Sequence, residues 1–309
     1  MLRSLLLTAS ASPRCKGFVE HSRLSRPVVA RFVAGNDLDQ AIAAARAVVT
    51  DRFASLDLLG EATVHRAAAD RTAQSYVALV HRIGAEGLAG RVEVSVKLTA
   101  LGLALPDGRG IALEHAREVC AAARDAGTTV TVDMEQYPYV DATLQTVREL
   151  RADFPDVGAV LQAYLRRTEA DCRDLSGPSS RIRLCKGAYD EGASVAFRSR
   201  AQIDGSYRRC LRILMSGKGY PMVATHDPAL ITFAGELAEA YGRDRSEFEH
   251  QMLYGIRPRA QTTLAATGLR VRVYIPFGNA WYPYFMRRLG ERPANLAFFL
   301  RSFAPGGRG

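Results

Sequence analysis

What constrains this chain most is a rhythm: eight short apolar segments recur along it, separated by longer stretches of helical character. They read ASLDLLG (54–60), VEVSVKL (92–98), TTVTVDM (128–134), VGAVLQAYL (157–165), RIRLCKG (181–187), YPMVATHD (220–227), FEHQMLYG (248–255) and LRVRVYIPFG (269–278). Each is short, apolar or β-branched, and closes at or beside a glycine, a proline or a polar residue, which is how a strand is punctuated. The intervening stretches have helical period. ALEHAREVCAAARDAG (112–127) is closed by a glycine, and DATLQTVRELRADF (141–154) opens on an aspartate in N-cap position. Strands alternating with helices imply a parallel sheet covered by helices. Eight such units in about 250 residues predict a closed α/β architecture, a distorted TIM-like (β/α)8 barrel. A doubly wound open sheet would carry G-x-G-x-x-G after its first strand, and LDLLGEATVH has none.

Length and composition agree with one large barrel. The chain has 309 residues, 48% hydrophobic and 24% charged, as in a soluble globular protein. No apolar run approaches the ~18–20 residues of a membrane span. Five scattered cysteines (15, 120, 172, 185 and 210) form no C-x-x-C pair, so a reducing, cytoplasmic setting and no metal centre are expected. The start, MLRSLLLTASAS, imitates a signal peptide only faintly, because its apolar run is shorter than the ~7–15 residues of an export signal. The net charge of +9 is uneven: residues 1–35 carry +5, residues 270–309 carry +6, and the stretch between carries −2. Without a nucleic-acid recognition module, basic ends fit solubility or a peripheral attraction to an anionic membrane better than nucleic-acid binding. Residues 1–35 are expected to form a basic helical segment preceding a catalytic barrel of residues 36–309.

Barrel chemistry sits at the C-terminal strand ends. Those ends carry Glu61, Lys97, Asp133 with Glu135 and Gln136, Gln162 with Tyr164, and Arg183 with Lys186 and Tyr189. Then follow Thr225, His226, Asp227, Tyr254, Tyr274 and Asn279. Taken singly, each has an ordinary reading: an aspartate as a helix cap, Gln162 as a satisfied buried amide, His226-Asp-Pro as an N-cap region. Their recurrence at nearly every strand points to a site. The chain has four lysines against 37 arginines, and Lys97 and Lys186 both fall at strand ends. Lys97 and Asp133 come from adjacent strands, and an ion pair between them would keep Lys97 charged, as an anion clamp rather than a nucleophilic amine. RLCKGAY places Lys186, Gly187 and Ala188 at a strand-to-helix junction where backbone N–H groups can approach a phosphate. Near the end, WYPYFMRRLGERP (281–293) read as a helix gathers Tyr284, Arg287, Arg288 and Glu291 on one face. Phe285, Met286 and Leu289 then form a core-facing stripe on the other.

In order along the chain, VSVKLTALG, VTVDMEQY, VLQAYL, RLCKGAYDE, ATHDP, FEHQMLYGIRP and VYIPFGNAWYPYFMRRLGERPAN resemble the motifs of proline dehydrogenase. The resemblance spans residues 35–303 and is to the short monofunctional bacterial form. It implies a distorted barrel that holds FAD non-covalently, oxidises L-proline to 1-pyrroline-5-carboxylate as the first step of proline degradation to glutamate, and passes electrons to a membrane quinone. By motif, Lys97, Arg287 and Arg288 would bind the proline carboxylate, with Glu291 bracing an arginine, and Tyr274 and Tyr284 would line the pocket. Asp133 and Arg183 would form the active-site pair, Arg183 close to the reactive flavin nitrogen. Met134, Gln162, Arg183, Lys186, Gly187, Ala188, Thr225 and His226 would hold FAD. Cys185 stands where the family often has valine, and packing is the expected role of its thiol. Two readings from other classes remain at this point: a Schiff-base, aldolase-like lyase using Lys97, and a basic, non-catalytic nucleic-acid-binding protein.

Overall fold

The computed structural model describes residues 26–60 and 62–291, with side chains for 28–60 and 62–288. Glu61, the side chains of Leu289 and Glu291, and the basic residues before Arg26 lie outside the described residues. Among the described residues two helices come first, α1 (Arg26–Ala30) and α2 (Leu38–Val48). Strand and helix then alternate: β1 (Phe53–Leu58), α3 (Arg66–Ala85), β2 (Val92–Val96), α4 (Gly108–Asp125), β3 (Val130–Val132), α5 (Val140–Asp153), β4 (Gly158–Gln162) and α6 (Thr168–Asp174). The second half is β5 (Arg181–Cys185), α7 (Arg200–Ser216), β6 (Tyr220–Ala224), α8 (Pro228–Ala240), β7 (Glu249–Leu253), α9 (Pro258–Ala266), β8 (Val271–Phe277) and α10 (Trp281–Glu291). All eight expected strands form, all parallel, each beside its neighbour in sequence. β8 returns to β1 from Phe53↔Arg272 to Leu58↔Phe277 and closes the barrel.

Except for His250 on β7, the outward face of each strand is apolar and packs under a helix. Val92, Val94 and Val96 are fully buried, and α3 turns Ala69, Ala73, Tyr76, Leu79, Val80 and Ile83 to the core at helical spacing. Burying each such Val, Leu or Ile contributes roughly 1.5–3 kcal/mol. Helix starts follow side-chain chemistry: the Asp37 carboxylate accepts from Gln40 N at 2.9 Å, and Asp227 accepts from Ala229 N at 3.1 Å, with Pro228 next. The glycine expected to close α4, Gly127, takes φ +75°, a left-handed turn that favours glycine. One boundary differs. Asp141 does not cap α5, because a 3-10 turn over Tyr137–Tyr139, with Pro138 inside it, already starts the coil. Asp141 becomes the second helical residue and meets Arg167 at 2.7 Å.

The barrel interior departs from the usual filling of Val, Ile and Leu. Ser55, Glu93, Ser95, Thr131, Arg183, Glu249, Gln251 and Arg272 are all buried and bond to one another across the axis from β1, β2, β3, β5, β7 and β8. At the C-terminal end of the barrel a second apolar cluster anchors α10. Tyr282, Phe285 and Met286 pack with Val28, Phe32 and Val33 near α1, and with Leu59 and Ile256 after β1 and β7. Phe285 and Met286 are thus the core-facing stripe the sequence predicts, but Tyr284, expected on the opposite face, joins the same cluster.

Candidate active site

Three predicted residues meet above the polar interior. Arg183 on β5 is buried and donates through NH1 to Asp133 Oδ1 at 2.7 Å. The Tyr274 hydroxyl on β8 donates to the other oxygen, Asp133 Oδ2, at 2.7 Å, and its ring lies 5.3 Å from the Arg183 guanidinium carbon. Burial pushes the Asp133 carboxyl up from its ordinary value, against the downward pull of Arg183 and Lys97. Burial and the adjacent Asp133 also hold the Tyr274 phenol well above its ordinary value, so it stays a hydrogen-bond donor.

Lys97 lies beside this trio, but its nearest carboxylate is one the strand-end reading passed over. Lys97 Nζ donates to Asp57 Oδ1 on β1 at 2.5 Å and sits 3.8 Å from Asp133 Oδ2 and 3.5 Å from the Tyr274 hydroxyl. Burial alone would lower Lys97, but Asp57 and Asp133 outweigh it and raise it above its ordinary value. A charged ammonium can bind an anion and cannot attack a carbonyl, which argues against the Schiff-base reading. Glu135 is also buried and receives the Thr99 backbone N–H at 3.0 Å and the Thr99 hydroxyl.

The rim over β4–β6 carries the other predicted residues. Met134 is buried, and Gln162 ends β4, where its Nε2 donates to the Glu135 carbonyl at 2.8 Å. Gly187 follows Lys186 with φ +103°, and a Cβ there would run into the Tyr164 ring. Both the positive φ and the Tyr164 contact require glycine at this turn. Lys186 Nζ lies 2.5 Å from Asp204 Oδ1 on α7 and 3.2 Å from Asp227 Oδ2. Against the upward push of burial, the Lys186 bond lowers Asp227. Thr225 Oγ1 accepts from Asp227 N at 3.1 Å, and His226 Nε2 accepts from Leu253 N at 2.9 Å. That second bond leaves the ring proton on Nδ1.

From α10, Tyr284 and Arg288 are buried rather than solvated, so this face points into protein. The Arg288 guanidinium lies 5.1 Å from the Tyr284 ring centre, and Arg287 lies 5.9 Å from the ring of Tyr189. The Cys185 thiol at the end of β5 is buried within range of the charges on Asp133, Arg183 and Arg288. Burial pushes that thiol up to about 11, so it remains a protonated packing group.

Several participants were missed on sequence alone: Asp57 beside Lys97, and Glu93, Ser95, Glu249, Gln251 and Arg272 around and beneath Arg183. Their signal was present as alternation. In VEVSVK the residues Glu93, Ser95 and Lys97 alternate with three valines, so one face of β2 is polar and points inward.

Comparison with known proteins identifies the family. Residues 40–301 match the proline dehydrogenase family. The chain is 36% identical over 302 residues to proline dehydrogenase 1 of Bacillus subtilis (strain 168), covering 97% of this chain and 98% of that one. It is 37% identical over 310 residues to the proline dehydrogenase of Deinococcus radiodurans, covering 99% of each. Among solved structures, proline utilization A (PutA) from Bdellovibrio bacteriovorus inactivated by N-propargylglycine superimposes with a TM-score of 0.79 at 26% identity. That match covers 90% of this chain and 34% of the larger protein. With a family match over most of its length and relatives that align end to end, the chain belongs to the proline dehydrogenase family.

Proposed function

We propose that this chain oxidises L-proline to 1-pyrroline-5-carboxylate using FAD held at the C-terminal mouth of the barrel. The observation that carries the reading is the end-to-end match to two proteins named proline dehydrogenase, in a chain whose barrel mouth gathers Lys97, Asp133, Arg183 and Tyr274. The rim fits a dinucleotide. Gly187 and Ala188 form a glycine-dependent turn after β5, Lys186 supplies a cation, and Gln162, Thr225 and His226 are fixed around it. FAD would be held there by these residues together with Met134 and Arg183, and when bound would supply the two-electron acceptor for the hydride.

This chain's own residues bind and orient. Lys97, Arg287 and Arg288 grip the carboxylate, where planar guanidinium forks match carboxylate geometry. Tyr274 and Tyr284 pack against the saturated ring. Anchoring the carboxylate at one end directs the ring carbon on the far side of the nitrogen, the one that becomes C=N in the product, toward the acceptor. Asp133 keeps Arg183 in place and Tyr274 turned inward. The test is the visible spectrum: purified protein should be yellow, release intact flavin on heating, and bleach under argon with proline. Flavin that stays oxidised in millimolar proline would remove the assignment.

Electrons would pass to a membrane quinone. Among the described residues no helix is long and apolar enough to cross a membrane, so the contact would be peripheral, drawn by the basic stretches 1–35 and 270–309. Binding to anionic but not neutral vesicles, lost as salt rises, is the expected outcome. Equal binding to both vesicle types would sink the charge argument.

A further inference from the structure

Every N–H of the Arg183 guanidinium is engaged, and only one of its bonds faces Asp133. NH1 donates to Asp133 Oδ1 at 2.7 Å and to Ser95 Oγ at 2.9 Å. NH2 donates to Glu93 Oε1 at 3.2 Å and Ser55 Oγ at 3.4 Å, and Nε donates to Gln251 Oε1 at 2.5 Å. The Nε contact matters differently from the rest. NH1 and NH2 each have two acceptors and can trade between them, whereas the single Nε–H fixes the tilt of the guanidinium plane.

Gln251 is itself oriented. Its Nε2 donates to Glu249 Oε1 at 2.5 Å, so its oxygen must face Arg183. A flipped amide would set NH2 against Nε–H and oxygen against a carboxylate. Glu249 is gripped by both arms of Arg272 at 2.7 and 3.0 Å, and Arg272 NH1 is tied to the Ala54 carbonyl at 3.0 Å. The donor and acceptor sense therefore runs without ambiguity from the backbone of β1 through Arg272, Glu249 and Gln251 to Arg183.

We propose that Gln251 is a positioning residue for the reaction, aiming Arg183 at Asp133 and the flavin through its bond to Arg183 Nε. This rests on the FAD-dependent proline oxidation proposed above. Without the Gln251 oxygen, a buried N–H is left unmade, and the nearest repair is for the guanidinium to swing toward Glu249, drawing NH1 away from Asp133. The carboxylate grip at Lys97, Arg287 and Arg288 makes none of these bonds, so substrate binding should be spared.

The experiment compares the flavin-loaded parent protein with Gln251→Met and Gln251→Glu, after thermal melts establish that each is folded. For Gln251→Met we expect kcat about tenfold lower, KM for proline within about twofold, and a flavin midpoint potential about 30 mV more negative. That shift is a tenfold change for a two-electron couple. In Gln251→Glu one carboxyl oxygen can again accept from Arg183 Nε, while the other, facing Glu249 Oε1, must be protonated and donate as the amide did; in that form kcat should return to within about threefold of the parent. A folded Gln251→Met with the parent's kcat and potential, a loss confined to KM, or equal losses in both variants would overturn the positioning role. Should Gln251→Met fail to fold, Gln251→Asn keeps the amide but falls one methylene short of Arg183. It should show the same kcat and potential changes, and parent-like values would overturn the proposal. A parent protein without proline-reducible flavin sinks the proposed function instead, which separates the two failures.

Discussion

Asp57 offers the sharpest test of how the mouth is held together. Its carboxylate and the Lys97 side chain are 1% and 9% exposed, and Oδ1 meets Nζ at 2.5 Å. Asp57→Asn keeps the shape and one acceptor oxygen but removes the charge, leaving Lys97 with Asp133 at 3.8 Å. Breaking a buried pair by removing one partner costs ~3–5 kcal/mol, and the retained acceptor places this change near ~3 kcal/mol. At an unfolding entropy of ~2.1 cal/mol/K per residue over the 309-residue chain, that is a fall in Tm of roughly 5 °C. Lys97→Met should cost a similar amount, because it leaves Asp57 charged and buried. The double variant should cost less than the two together, by at least ~2 kcal/mol, since neither charge is then stranded. Calorimetric Tm values at pH 7 and one fixed flavin concentration measure all four corners of the cycle. Effects that add to within ~0.5 kcal/mol would show that the two residues are not a coupled pair and refute the reasoning.

Arg288→Lys keeps the charge but loses the fork, so KM for proline should rise ten- to a hundredfold, the equivalent of ~1.5–3 kcal/mol. If pyrrolidine, which has no carboxylate, loses as much, Arg288 is not a carboxylate ligand. His250 is buried beside Phe248, and burial lowers it to about 4. Below its ordinary value of about 6.5 the unfolded chain takes up a proton that the native chain refuses. Stability therefore falls as pH drops from about 6.5 to about 4, by ~3 kcal/mol, and is unaffected by this group above that window. His250→Leu should flatten the Tm–pH curve over that range, and an unchanged slope would exclude the histidine as its cause.

The strands were legible because each segment is short, apolar and punctuated, and the barrel followed from their number. What the sequence did not disclose was which partner each charge takes. β2 lies between β1 and β3, so Lys97 had two equally adjacent carboxylates in Asp57 and Asp133. Strand tilt and stagger, which no single segment encodes, bring Asp57 to 2.5 Å and leave Asp133 at 3.8 Å. Lys186 was expected beside a phosphate, and what the sequence did not show is its bond to Asp204, which comes from the packing of α7 on β5. The interior charges were hidden for another reason. Reading the segments as apolar runs with polar ends overlooks the period-2 alternation that puts Glu93, Gln251 and Arg272 on the axis.

The return of β8 to β1 also governs how the protein comes into being. Arg272 donates to Ala54 across 218 positions of chain, and Tyr274 on that same last strand completes the Asp133 pair. During synthesis from the N-terminus, β1 keeps a free edge until the eighth strand arrives, and no subset of units holds a finished site. Every nascent intermediate thus carries open strand edges that can pair with another chain. Long-range closure of this kind is slow. Cells making this protein in quantity face their aggregation risk in the interval before β8 docks, and slower synthesis of the last strand would lengthen it.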